Sequence, residues 1–203
     1  TVFNVAADGD GVVAADGSGF TITDVDGNDV PFEFDGGVIL DIPPVVDPVS
    51  GETNIDDGDK FVVDDGTLDP VIFEFDNNSQ ITAGNVAITY TGAETAEEMA
   101  DLVAAALAST GLDVESNVLS SGDIHLGWNQ GLSVDLANAN GLTLDGNTTV
   151  VDPGAQRVQV INRASFTSSN VADAISSSIN AAGNSKLHAS RAGTLAGDDR
   201  IAI

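Results

Sequence analysis

A twenty-residue pattern occurs twice in this chain without a gap. An offset of 41 carries Asp16 onto Asp57, Gly17 onto Gly58, Phe20 onto Phe61, Asp24 onto Asp65, and Phe32-Glu33-Phe34-Asp35 onto Phe73-Glu74-Phe75-Asp76. In both copies two alternating apolar segments flank a turn-rich centre, Asp24-Val25-Asp26-Gly27-Asn28-Asp29 in the first and Asp64-Asp65-Gly66-Thr67 in the second. Alternation at period two puts every other side chain on one face, so each copy predicts a β-hairpin with its phenylalanines on the buried side. Any fold for this chain must house the same hairpin twice.

A weaker duplication lies further on. An offset of 72 relates Val86-Ala87-Ile88 to Val158-Gln159-Val160, and Thr95-Ala96-Glu97-Glu98-Met99-Ala100-Asp101 to Thr167-Ser168-Ser169-Asn170-Val171-Ala172-Asp173. Each copy predicts a strand, a helix and a hairpin. Thr95 and Glu98 have the spacing of a capping box, and Met99, Leu102, Val103, Ala106 and Leu107 form one apolar stripe. The second stripe is Val171, Ala174, Ile175, Ser178 and Ile179, and Gly111 and Gly183 are placed to end the helices. Stripes of this width bury themselves by lying on a sheet. The predicted fold class is therefore α+β and predominantly antiparallel β, with duplicated β-hairpin units and short helices packed on the sheets. Three successive segments follow from this pattern: an incomplete hairpin unit over 1–50, a hairpin plus strand-helix-hairpin repeat over 51–137, and a second strand-helix-hairpin repeat over 138–203. Pro43-Pro44, Pro48 and Ser50-Gly51 read as a linker or long loop after the first hairpin.

Charge narrows the partners. The chain carries 32 acids against 6 bases, a net charge of −26, which repels nucleic acid and anionic lipid. The acids are mostly Asp, which favours turns and caps and offers a short carboxylate suited to calcium. Residues 1–80 hold 19 of the acids and a single base, Lys60, which makes them the expected cation-binding half. A solvated surface adapted to salt explains the same charge without calcium. With no Cys, disulfide frameworks and thiolate metal sites are excluded. No apolar run approaches the roughly 20 residues of a membrane span.

The run Asp-Gly-x-x-Phe-x-φ-x-Asp, the Phe-Glu-Phe-Asp strand end, and Ala87-Ile88-Thr89-Tyr90 followed by Thr95-Ala96-Glu97-Glu98-Met99-Ala100 together resemble repeats of giant secreted bacterial surface proteins. Those repeats, of marine and planctomycete type, are adhesin-like or matrix-like and calcium-associated. The match is best over 57–126, partial over 14–37 and degenerate over 144–203. It implies a non-enzymatic structural protein at the cell surface or outside the cell, partnered by itself as a homopolymer or tandem repeat. One departure stands out: the first hairpin is followed by Val38-Ile39-Leu40-Asp41-Ile42-Pro43-Pro44 and no helix. A unit left incomplete has an unpaired edge. Thr1, Val2, Phe3 and Val5 belong to an alternating terminal segment that either donates a strand to a neighbouring subunit or pairs within its own sheet.

The candidate metal ligands are Asp24, Asp26 and Asn28, whose i, i+2, i+4 spacing suits one hard cation, with Asp35 eleven residues after Asp24. A helical calcium loop is ruled out, because Asp29 stands where Gly is required and the flanks are strands. A calcium-binding β-turn and a turn whose Asp and Asn bond the backbone both remain. Asp56, Asp57 and Asp59, and Asp64 with Asp65, form similar acidic loops. Trp128 is either a sugar-stacking platform, which would make the chain a carbohydrate-binding module contacting surface glycans, or a packing and interface anchor. His125 and His188 are expected on strand surfaces. No nucleophile elbow, phosphate-binding loop, zinc motif or dinucleotide fingerprint is present, so no enzyme is predicted.

Overall fold

The structure is a computed structural model and describes residues 2–4, 16–119, 122–146, 151–161, 167–184, 186–191 and 200–203. In chain order the elements are β1 (Val2–Asn4), β2 (Gly19–Thr23), β3 (Asp29–Asp35), β4 (Val38–Asp41), β5 (Lys60–Asp64), β6 (Val71–Asp76), β7 (Val86–Thr89), α1 (Ala96–Ala108), β8 (Asn117–Val118), β9 (Asp123–His125), β10 (Ser133–Asn138), β11 (Thr143–Gly146), β12 (Gln156–Gln159), α2 (Ser168–Ala181), β13 (Ser190–Arg191) and β14 (Arg200–Ala202). The strands form sheets ordered β1-β14-β13, β12-β3-β2, β11-β4-β9-β8 and β10-β5-β6-β7. The fold is α+β and β-rich, as the patterning predicts.

Both predicted hairpins are present, in the same register. Phe20 faces Phe32 and Ile22 faces Val30 in β2–β3, while Phe61 faces Phe73 and Val63 faces Val71 in β5–β6. The rings repeat as well: Phe20 and Phe32 stack with centroids 5.0 Å apart, and so do Phe61 and Phe73. Such pairs add roughly 0.5–1.5 kcal/mol beyond the area they bury. At the open end of each hairpin Gly17 (φ 73°) or Gly58 (φ 85°) takes the left-handed region and donates its N–H to the carbonyl of Phe34 or Phe75, at 2.9 and 2.8 Å. A side chain at these positions would strain the bulge that starts the ladder.

The third strand of each sheet joins in parallel. β7 pairs with β6, Phe75 facing Ile88, and β12 pairs with β3, Phe34 facing Val158. The strand duplication is therefore related by an offset of 70, with Gln156 standing where Val86 stands, and only the helices keep the offset of 72. A two-residue slip leaves every side chain on its original face, which is why the apolar pattern tolerates the wrong alignment. Each helix starts at a reciprocal capping box, Thr95 with Glu98 and Thr167 with Asn170. The stripes predicted for them pack on the cores, Met99, Val103 and Leu107 in one and Val171, Ile175 and Ile179 in the other.

These elements group into two compact units. One is continuous, Val38–Thr148, and the other is discontinuous, Thr1–Gly37 with Thr149–Ile203. Both follow one plan: an opening strand (β4 or β1), the hairpin, the parallel strand, the capped helix, and a closing hairpin whose last strand pairs antiparallel with the opening strand. The continuous unit is inserted in the sequence between β3 and β12 of the other, and it carries two further strands, β10 on β5 and β11 on β4.

Several expectations change accordingly. The three successive segments 1–50, 51–137 and 138–203 give way to a nested arrangement, because β3 takes its parallel partner from residues 156–159. The first hairpin is not incomplete: its strand and helix arrive after the insertion. Residues 43–53 are no linker between domains, since Val45 and Ile55 lie buried in the continuous core and Val46 bridges to Thr53.

Candidate functional site

The acidic residues of the turns are positioned by the hairpins, and their oxygens are directed at backbone N–H groups. Asp24 Oδ1 accepts from the N–H groups of Asp26 and Asn28, each at 2.9 Å, and Oδ2 accepts from Asn184 Nδ2 at 3.2 Å. Its counterpart Asp65 Oδ1 accepts from Thr67 and Leu68 N–H at 2.8 Å, and Oδ2 accepts from Asp113 N–H at 2.8 Å. In both units this one carboxylate closes the hairpin loop and ties it to the chain leaving the helix. Both residues are buried. The N–H groups of Asp113, Leu68 and Thr67 hold the Asp65 carboxyl well below the ordinary range, and those of Asn28, with its amide, do the same for Asp24.

The opposite end of each hairpin shows the same economy. Asp16 Oδ1 accepts from Gly36 N–H at 2.8 Å and Asp57 Oδ1 from Asn77 N–H at 2.9 Å. Asp35 accepts from Gly37 N–H at 3.0 Å and Asp76 from Asn78 N–H at 3.1 Å. Glu33 and Glu74, buried on the middle of the sheet, each cap the turn before the parallel strand, through Asp152 N–H at 2.8 Å and Thr82 N–H at 3.0 Å. Asp59 accepts from Asp56 N–H at 3.0 Å, and Asp64 from Gly66 N–H at 2.8 Å. Sequence reasoning missed the Glu pair and the Asp16/Asp57 pair as backbone caps. Their recurrence at equal positions of both copies was the available signal.

Of the predicted metal ligands, Asp24, Asp26 and Asn28 do share one loop, where Asp26 forms an ion pair with Lys186. Asp35 does not join them: it sits at the far end of β3 and pairs with Arg157 at 3.2 Å. Asp56, Asp57 and Asp59 lie just before β5, Asp64 is its last residue and Asp65 follows it. Among the described residues no group of three or more Asp, Glu, His or Cys side chains is arranged to hold a metal ion. A cation at these turns would share carboxylate oxygens that already accept backbone hydrogen bonds.

One further carboxylate is notable. Glu94, between β7 and α1, accepts from Thr91 N–H and Oγ1 at 2.7 Å and from Gly92 N–H at 2.9 Å. Burial works against its charge, but these bonds outweigh it and bring its pKa to about 2. Tyr90 is pushed the other way, to about 12, by burial and by the charges of Asp57, Asp56 and Asp59.

Val2 and Phe3, of the four residues expected in assembly, lie in β1, which pairs with β14 of its own chain, Val2 opposite Ala202 and Phe3 opposite Ile201. Thr1 and Val5 lie outside the described residues. Trp128 is half-buried with its ring 4.4 Å from that of His125, so one side of it is engaged in packing. His125 is fully buried in the continuous unit, which corrects the strand-surface expectation, whereas His188 is exposed. No helix among the described residues is long and apolar enough to cross a membrane. No protein-family model, curated protein or solved structure matches the chain.

Proposed function

We propose that the chain is a non-enzymatic structural subunit or repeat of an extracellular filament, sheath or adhesin, and that it acts by assembling through its sheet edges. The observation that carries this reading is the nested duplication: one seven-element plan is used twice, and its recurring polar residues are spent on holding loops and turns. Side chains used in this way support a scaffold. Repetition of a unit with exposed strand edges is how repeat architectures bury surface between neighbours.

Calcium enters this proposal as diffuse neutralisation. A chain of −26 repels its own copies, and divalent cations gathered on the exposed carboxylates reduce that repulsion. Sedimentation velocity and electron microscopy at rising concentration, in calcium and in chelator at matched ionic strength, test both parts. Filaments or larger species that grow with calcium support the reading. A monodisperse monomer at millimolar concentration in both conditions overturns it.

A further inference from the structure

The two units differ at one sheet edge. In the continuous unit the outer edge of β5 is covered by β10, with Ser133 facing Asp64, Asp135 facing Val62 and Asn138 facing Lys60. Val134 and Leu136 of β10 pack against the core beside it. The same edge in the discontinuous unit belongs to β2, which among the described residues ends its sheet. The offset of 41 carries Lys60, Val62 and Asp64 onto Gly19, Thr21 and Thr23. Their backbone groups face away from β3. Phe34 N–H donates to the Ser18 carbonyl at 2.8 Å, and the alternation of an antiparallel ladder then turns residues 20 and 22 inward and residues 19, 21 and 23 outward.

Side-chain burial follows the same difference. Phe61 and Val63 are fully buried, while their counterparts Phe20 and Ile22 are half-buried. Phe20 and Ile22 line a groove of about 660 Å³ together with Leu187, Ile203 and Val25, with Lys186 at its rim. Val25 is 84% exposed. The groove lies where the Val134 and Leu136 side chains of a β10-like strand belong.

We infer that the β2 edge is a docking site for an extended strand of another polypeptide, with the chemistry of β10: aliphatic residues alternating with short polar ones, as in Ser133-Val134-Asp135-Leu136-Ala137-Asn138. The occupant is identified by the duplicate, in which a strand of this type already covers the equivalent edge. It runs antiparallel to β2, exchanges hydrogen bonds with Gly19, Thr21 and Thr23, and lays two aliphatic side chains in the groove. The inference rests on the assembly reading above and names the surface that assembly would use.

A synthetic peptide of residues 131–139, titrated into the intact 203-residue protein and followed by amide NMR, tests it. Saturable shifts and slowed exchange at Gly19, Thr21 and Thr23 are expected. Thr21→Pro, which removes an outward donor and leaves the bonds to β3 in place, should weaken binding at least tenfold. A peptide N-methylated at Asp135 should lose as much against the unaltered protein. Amides at Gly19, Thr21 and Thr23 that are already protected in the free monomer overturn the inference, because the chain then covers the edge itself, and so does an absence of shifts at millimolar peptide. If the peptide binds but the protein stays monomeric, the docking edge stands and self-assembly fails. If the protein polymerises and Thr21→Pro polymerises equally, assembly stands and this edge is not its route.

Discussion

The continuous and discontinuous units repeat the same registers and ring stacks, yet they differ in how finished they are. The continuous unit covers its β5 edge with β10 and extends its second sheet with β11, and a long list of fully buried residues, from Leu40 to Leu126, fills its core. Its counterpart has a smaller described core around Phe32, Val158 and Ile179 and keeps Phe20 half-buried. Since Phe34 finds Val158 across the whole insertion as surely as Phe75 finds Ile88 across one short loop, pairing register carries this fold and chain continuity does not.

The strongest way to break the comparison is to separate the units. Residues 38–148 expressed alone should fold with a cooperative thermal transition and dispersed NMR resonances. A chain in which residues 36–155 are replaced by Asn77–Asn85, the loop that joins the equivalent strands, should also fold. Failure of the continuous unit to fold alone would show that it borrows stability from its host.

Single side chains sharpen the contrast. Phe61→Ala should destabilise by about 3–5 kcal/mol, as buried aromatic truncations do, whereas Phe20→Ala should cost distinctly less, because its ring is already half exposed. Equal losses by chemical denaturation would mean that the β2 edge is covered after all. The helix caps should behave alike: Thr95→Ala and Thr167→Ala should each cost roughly 1 kcal/mol, read from the same curves.

The smallest effect separates the units by pH. Glu94 has a folded pKa of about 2 against an ordinary 4.5, so the folded state binds the proton less readily than the unfolded one. Its stabilisation is present above pH 4.5 and is lost as pH falls towards 2. The advantage of the wild type over Glu94→Gln should therefore shrink across that window, in the transition of the continuous unit. Tyr90 works in the opposite sense: with its pKa raised from 10 to about 12, its contribution is present below pH 10 and fades as pH climbs through 12. Ultraviolet titration of this single Tyr checks the value.

Local structure was legible because it is written in short-range pattern. Alternation marked both hairpins, the Thr95–Glu98 spacing marked a helix start, and glycines marked the ends. Parallel pairing was not, because no turn residue records which distant strand β3 will meet. One clue was present: the orphan hairpin at 16–35 and the orphan strand and helix at 156–181 lack complementary halves of one unit. The acids were legible as turn formers, and their oxygens had two uses that composition alone does not separate. Geometry shows the Asp24 and Asp65 oxygens bonded to the backbone.

Val2 lies opposite Ala202, and Val38 lies opposite Gly146, so each unit is entered and left at neighbouring points. This sets how the molecule bears load. Tension drawn through Val2 and Ala202 peels an antiparallel pair from one end, and its hydrogen bonds give way in succession instead of together. Strands gripped in this manner yield at low force. The direction in which such a chain resists pulling is along its strands, where a partner laid on a sheet edge is held by all its bonds at once.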